Sequence, residues 1–243
     1  LPAVPLVSAL LTQLFGATLD RKVSRISVSG GILSFLIAAV LLGSVLSGHE
    51  VTRVTVGDTW GSLLFDPLSV LMGLLIAGIS LLVRIYSVRY MAEEAGYGRF
   101  FVMLDLITAA LLVMVAAGDL ITLFLYWELM ALFSTVIVWC GGTPAARQAG
   151  VRYAIMHLLG GVILKVGIEG IVVHTGSIEI QPMLATNFDT WMVLIGILIN
   201  AAAPPVSAWL ADSYPESSPT GSVFLSSFTT KTAVLALILL FPG

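Results

Sequence analysis

Glu128 stands in the middle of a long apolar run, ITLFLYWELMALFSTVIVW, that holds no basic residue. If the run crosses a bilayer, a charge there costs several kcal/mol (about 2.5–3.5 on insertion scales) and needs a reason. A carboxyl group at that depth gains or loses a proton as its partner or hydration changes, which is what a proton relay requires. The structural alternative is a carboxyl that stays neutral, or one paired with a group from another helix. Lys231 lies mid-run in FLSSFTTKTAVLALILL, with Ser226, Ser227, Thr229, Thr230 and Thr232 around it. Those hydroxyls hold water near an ammonium, which favours proton exchange over a dry salt bridge to Glu128 or another acid. Lys165 and Glu169 are four residues apart on one helix face, and His157 and Gly161 continue that stripe. Such a pair can neutralise itself, so structural and functional roles fit it equally. His157 alone reads as a hydrogen-bonded packing residue or as a proton carrier. Asp105, near the start of another apolar run, is expected to face the headgroup region.

One run is broken by its own chemistry. Pro204 and Pro205 cannot donate, and each ring clashes with the carbonyl four residues earlier, which frees the carbonyls of Asn200 and Ala201. Irregular backbone at membrane depth is tolerated where it is buried in protein or lines a water-filled cavity. Asn200 and Ser207 add polar groups at the break. A simple packing kink is the alternative to an ion site built on a broken helix.

The elements that must position these residues are set by a composition made for lipid. The chain is 58% hydrophobic and 10% charged, with mean hydropathy +1.04. A soluble domain carries roughly 25% charged residues, so water is the wrong solvent. A span needs about 20 mostly apolar residues. Eight candidates occur, at about 3–19, 26–47, 63–85, 100–117, 119–140, 150–173, 190–210 and 221–241. The first is read as a helix, not a signal peptide, because it has no basic leader. The connectors, from Gly48 to Gly61, Ser87 to Gly98, Gly141 to Gln148, Gly176 to Thr190 and Ala211 to Thr220, carry Gly, Pro or charge. The sequence thus predicts an all-α, polytopic bundle of about eight transmembrane helices, the seventh broken at Pro204–Pro205, in a single domain over 1–243.

Of the eleven basic residues, Arg21, Lys22, Arg25, Arg84, Arg89, Arg99, Arg147 and Arg152 fall in loops 1–2, 3–4 and 5–6, and only Arg53 falls on the other side. That bias places those loops in the cytoplasm and both termini outside, in a multi-pass protein of the inner (plasma) membrane. The net charge of -3 offers no basic field for nucleic acid. One cysteine, Cys140, excludes a disulfide framework, and His49, His157 and His174 have no ligand spacing. No metal, cofactor or catalytic redox site is expected, and no nucleotide-binding glycine loop occurs.

The strings GDLITLFLYWELM, RYAIMHLLGG, NAAAPPVSAWLADSYPE and TGSVFLSSFTTKTAVLAL resemble, in order, the fifth to eighth helices of the antiporter-like subunits. That family joins the large membrane subunits of respiratory complex I to the D-type subunits of Mrp cation/proton antiporters. The likeness covers about residues 62–243 and is nearest to the D-type, complex I subunit 5-like branch. It implies helices 1–3 over 1–99 and the first antiporter-like five-helix unit, helices 4–8, over 100–243. By position Glu128 matches the fifth-helix glutamate that modulates a lysine across the half-channel. Lys231 matches the eighth-helix lysine that links that channel to the central axis. The family's principal seventh-helix lysine falls on Asn200 here, and Ser207 stands where many relatives have histidine. Lys165, with Glu169 beside it, is the candidate substitute. Family members run to about fourteen helices in two inverted units. A companion supplying the second half-unit is therefore expected, to keep groups such as Lys231 from lipid.

The expected function is a proton- or cation-translocating subunit of a larger membrane complex, Mrp-type or complex I-related. Protons, exchanged in one version for Na+, would follow a hydrated path near Glu128, Lys231, Lys165, Glu169, Asn200 and His157. Other membrane subunits and lipid would be its partners, and the chemistry that drives a translocase such as an NADH-quinone oxidoreductase would lie elsewhere in the assembly. The alternative is a structural subunit that translocates nothing, as the missing seventh-helix lysine permits. A third reading is an ion- or bicarbonate-linked uptake complex with the same subunit type.

Overall fold

The computed structural model describes residues 1–48, 52–55, 61–94 and 96–242; His49 lies outside them. Its helices are α1 (Ala3–Leu19), α2 (Ser24–Leu46), α3 (Pro67–Tyr90), α4 (Tyr97–Val115), α5 (Leu120–Trp139), α6 (Pro144–Thr175), α7 (Phe188–Asn200), α8 (Ala208–Glu216) and α9 (Pro219–Leu240). A 3-10 turn, Asp20–Val23, leads into α2. Among the described residues, six helical stretches are long and apolar enough to cross a membrane, and Ala3–Gly16 and Phe188–Asn200 are shorter apolar helices. The eight expected runs are all present, the seventh as α7 and α8 with the prolines between them.

Helix starts are chemically marked. α3, α6 and α9 each open with proline at the first helical position, after Asp66, Thr143 and Ser218, whose side chains accept a hydrogen bond from the N–H three residues on. Proline loses nothing there, because that N–H has no intrahelical partner. Asp119 caps α5 and Asn187 caps α7 in the same way. α6 ends at Gly176, whose φ of 68° suits a residue without a β-carbon.

The connector after α2 differs from expectation. Thr52–Thr55 (β1) and Ser62–Phe65 (β2) pair antiparallel, with Thr52 opposite Phe65, so α3 begins at Pro67 rather than near 63. β2 continues onto the α4–α5 turn, where Leu64 N–H reaches the Ala116 carbonyl at 2.7 Å and Gly118 N–H the Ser62 carbonyl at 2.8 Å. Arg53 pairs with Glu179 at 3.5 Å, and Leu120 N–H donates to Ile178 O at 2.8 Å. Loops 2–3, 4–5 and 6–7 are thereby knitted together on one face. On the other face Arg152, on α6, pairs with Asp212, on α8, at 2.9 Å.

α4 is the central helix, buried along nearly its whole length. α5 packs on α4 and α6, and α6 packs on α5, α7 and α8. Glycines set the α6–α7 approach: a β-carbon on Gly196 would meet Leu164 N at 2.7 Å, and one on Gly167 would meet Asp189 O at 2.6 Å. Small residues at such seams let helix backbones come close where the hydrophobic effect offers no drive.

Candidate functional site

Asp119 fixes where α5 starts. Its carboxylate accepts from Thr122 N–H at 2.7 Å and Thr122 Oγ1 at 2.9 Å, and from Ser62 N–H at 2.6 Å and Ser62 Oγ at 2.9 Å. One side chain thus caps α5 and ties it to β2. Along α5, Trp127 is fully buried and Glu128, the next residue, lies against α6. A β-carbon on Gly161 would fall 2.0 Å from Glu128 Oε1. The carboxyl therefore occupies space that only glycine leaves open.

Its neighbour Gly160 does the same for α7, since a β-carbon there would meet Asn200 Nδ2 at 2.7 Å. The Gly160–Gly161 pair is the point where Glu128 and Asn200 approach α6 from two sides. One turn earlier on α6 lies His157, buried, stacked on Tyr153 at a centroid distance of 4.1 Å and edge-on to Trp209 at 4.8 Å. Glu128 and His157, with Thr135 and Trp139, line one cavity of about 260 Å³ between α5 and α6.

The polar atoms here are under-served by protein. Glu128 Oε1, Asn200 Oδ1, both His157 ring nitrogens, Tyr153 OH and Ser134 Oγ are buried without a hydrogen-bond partner among the described residues. His157 lies beside Asn200 and Tyr153 beside Ser134, close enough for polar contact. Asn200 Nδ2 is used, donating to Gly196 O at 3.0 Å. Buried polar groups in native proteins are hydrogen-bonded, and where protein does not serve them, water does. The cavity is large enough to admit water beside these groups.

The break between α7 and α8 is held by Trp209, whose indole N–H donates to the Ile199 carbonyl at 3.2 Å. Ala203 N–H reaches back to Leu198 O at 3.0 Å. Pro204 and Pro205 themselves are exposed. Beyond the break, Tyr214 OH on α8 bonds Thr229 Oγ1 on α9.

The other sequence-derived site residues lie elsewhere. Lys165 and Glu169 form an ion pair on the outer face of α6, half or more exposed, so Lys165 does not turn toward Asn200. Lys231 is exposed on α9, its ammonium donating to the Ser226 carbonyl. Around Gly160–Gly161 the structure brings together Glu128, His157 and Asn200, and it leaves the two lysines at the periphery.

Asp105 corrects a sequence expectation. It does not face headgroups but is fully buried, and Arg84, counted above among loop residues, is inside α3 and bound to it. Arg84 Nη2 and Nε donate to Asp105 Oδ1 at 2.7 and 3.0 Å, Ser27 Oγ donates to the same oxygen at 2.8 Å, and Arg84 Nη2 also reaches Thr108 at 3.0 Å. The missed signal was Ser80, Arg84 and Ser87 recurring at i, i+4 and i+7, one polar stripe on a mostly apolar helix.

Residues 117–242, more than half of the chain, match the family described as NADH:quinone oxidoreductase/Mrp antiporter, TM. The chain belongs to that family. Residues 59–101 match a second description, NADH-Ubiquinone oxidoreductase (complex I), chain 5 N-terminus. The probable inorganic carbon transporter subunit DabB1 of Halothiobacillus neapolitanus is 49% identical over 54% of this chain and 24% of its own length. A chloroplastic NAD(P)H-quinone oxidoreductase subunit 5 of Anthoceros angustus is 26% identical over 99% of this chain and 37% of its own. A chain of the Mrp complex from Dietzia sp. DQ12-45-1b superposes with TM-score 0.83 at 24% identity, over all of this chain and 49% of that one. A chain of the archaeal membrane-bound sulfane sulfur reductase gives 0.84 at 22% identity, over 97% and 51%. These two likenesses establish the fold, and the chain spans about half of each solved chain.

Proposed function

We propose that the chain forms a proton- or cation-conducting half of an antiporter-like subunit within a multisubunit membrane complex, Mrp-type or complex I-related. The observation that carries this reading is the Glu128 carboxyl, set against Gly161 in a cavity it shares with His157, with an oxygen that has no hydrogen-bond partner among the described residues. A carboxyl and an imidazole joined by water are the parts of a proton relay. Coupled groups of this kind titrate as a set, so a charge arriving at one changes the proton held by the other. Asn200, at the helix break, orients water at the same place without carrying a proton.

The outer polar face of Lys165, Glu169, Lys231, Ser226 and Ser227 is the second part of the reading. Ionisable groups inside a membrane face protein or water rather than acyl chains, so this face fits further helices of the assembly, supplied by a companion half-unit. The path from Glu128 would continue there to Lys231. We place loops 1–2, 3–4 and 5–6 in the cytoplasm, following their basic residues.

Proton flux in proteoliposomes holding the parent complex, or complexes with Glu128→Gln or Lys231→Ala, tests the reading. Loss of flux with assembly intact supports conduction. Full flux in both variants overturns it in favour of a scaffold. The 49% identity to a probable inorganic carbon transporter subunit favours a second setting, in which the same path serves an inorganic-carbon uptake complex. In that setting carbon uptake by membrane vesicles falls together with proton flux in Glu128→Gln.

A further inference from the structure

Two cavities meet on α2. One is a groove of about 660 Å³ between α1 and α2, mainly apolar, walled by Val4, Val7, Leu11, Ile26 and Leu33. The other, about 600 Å³, opens where α2 passes the end of α3 and is lined by Arg21, Lys22, Arg25, Ser24 and Tyr97. Arg25 and Ser29 line both, so the two spaces join around one face of α2.

Depth along the bundle follows from one contact. Ser8 Oγ on α1 donates to Ile26 O on α2 at 3.1 Å, so the groove runs from Leu11 and Arg25 at one mouth toward Val4 and Leu33. At 1.5 Å per residue its α2 wall is about 12 Å long. Its basic mouth lies at the loop 1–2 side of the membrane, and its apolar length points into the hydrocarbon.

The basic mouth gathers three cations close in sequence, with Asp20 before them and Glu94 lining a neighbouring space with Arg21. Arg21, Lys22 and Arg25 are exposed, and none of them forms an ion pair among the described residues. Three cations within five residues repel one another. They also crowd the start of a helix, where the backbone dipole and free N–H groups favour an anion instead. An anion seated among them relieves both conflicts. An anion with an aliphatic tail also fills the groove.

We propose that these joined cavities bind one anionic glycerophospholipid, its phosphate among Arg21, Lys22 and Arg25 and an acyl chain in the α1–α2 groove. The bound lipid would lie along Val4, Val7 and Leu11 of α1 and Ile26 and Leu33 of α2, and fasten the two helices together. A zwitterionic lipid supplies the chain without net charge, and free phosphate supplies the charge without the chain, so both bind worse.

The test uses the complex purified in mild detergent, with native mass spectrometry reading retained phosphatidylglycerol against phosphatidylcholine. Phosphatidylglycerol is expected to be retained at least about tenfold better. The variant Arg21→Gln/Lys22→Gln/Arg25→Gln brings it down to the phosphatidylcholine level. Val7→Trp/Leu33→Trp fills the groove, leaves the charges in place and reduces retention of both lipids. Millimolar inorganic phosphate leaves phosphatidylglycerol bound. If the triple variant does not assemble, Lys22→Gln alone carries the same test at smaller amplitude. Parental retention by the charge variant or by the groove variant overturns the proposal, and so does displacement by phosphate.

Discussion

Arg84 and Asp105, on α3 and α4, are joined at 2.7 Å with side chains 1% and 0% exposed. The pair sits in a frame of hydroxyls from Ser27 and Thr108, while Asp105 Oδ2 and Arg84 Nη1 are buried without a hydrogen-bond partner among the described residues. Breaking such a pair leaves one charge alone in a dry site, which costs about 3–5 kcal/mol, whereas replacing both partners by apolar groups of similar volume is near neutral or stabilising. Arg84→Met and Asp105→Leu are each expected to lower the unfolding midpoint of the purified protein sharply. Arg84→Met/Asp105→Leu is expected to recover most of the loss. Thermal unfolding in detergent, run as a double-mutant cycle, measures the coupling directly. Single variants as stable as the parent would show that water reaches the pair.

Glu128 and Gly161 are a second linked pair, and here the readout is transport. Gln at 128 keeps the volume and the hydrogen-bonding shape but cannot release a proton. Positioned acid–base groups contribute about 10²–10⁴-fold to a proton-transfer step, and Glu128→Gln is expected to lose at least the lower end of that in flux. Gly161→Ala reaches the same carboxyl from the other side, because the new methyl would fall 2.0 Å from Oε1 and push it aside. Its flux should fall as well, with the assembly intact. Gly43→Ala, where nothing lies within 4 Å, is the matched control and should leave flux unchanged.

The spans were legible in the sequence because lipid solvation leaves a coarse and unambiguous mark: long apolar runs with polar punctuation. Glu128 was legible for the same reason, as the one charge in a 20-residue helix. Arg84 was misplaced because it lies near the end of its run, where a basic residue ordinarily snorkels to the headgroups. Nothing in one helix shows that Asp105, 21 positions away, waits at the same depth. The hairpin of Thr52–Thr55 and Ser62–Phe65 was missed because four-residue strands between long helices carry no clear period. The glycine seam at Gly160–Gly161 depends on which helix packs opposite, and that is tertiary information. The outward direction of Lys165 likewise follows from how α6 is rotated against α5 and α7.

Asp119 makes a stability prediction independent of transport. It accepts four hydrogen bonds, two from Thr122 at the start of α5 and two from Ser62 in β2. Asp119→Ala removes the cap and leaves the Ser62 and Thr122 donors unserved in a buried site, at a cost of about 2–4 kcal/mol by the usual values for a cap and an orphaned donor. Asp119→Asn keeps a carbonyl oxygen and should cost less than half as much. Hydrogen exchange of the Ser62 and Thr122 amides locates the effect. Faster exchange at both, with α6 unchanged, is the expected pattern, and unchanged protection in Asp119→Ala would show that other groups hold the turn.

The outer face of α6 and α9 separates a conducting subunit from a free-standing bundle. Lys165 and Glu169 neutralise each other at half-exposed positions, and exposed pairs of this kind contribute about 0–1 kcal/mol to the chain that carries them. Lys165→Leu/Glu169→Leu should therefore leave the isolated chain as stable as before. In the assembled complex the same face is expected to lie against another subunit, where a lost charge pair leaves the partner's polar groups without counterparts. Co-purification of the neighbouring membrane subunit should drop severalfold in the double leucine variant, and exchanging the two charges, in Lys165→Glu/Glu169→Lys, should not restore it, because the reversed pair meets the partner's groups with the wrong sign. Undiminished co-purification of both variants would place the subunit contact elsewhere and leave this face to lipid.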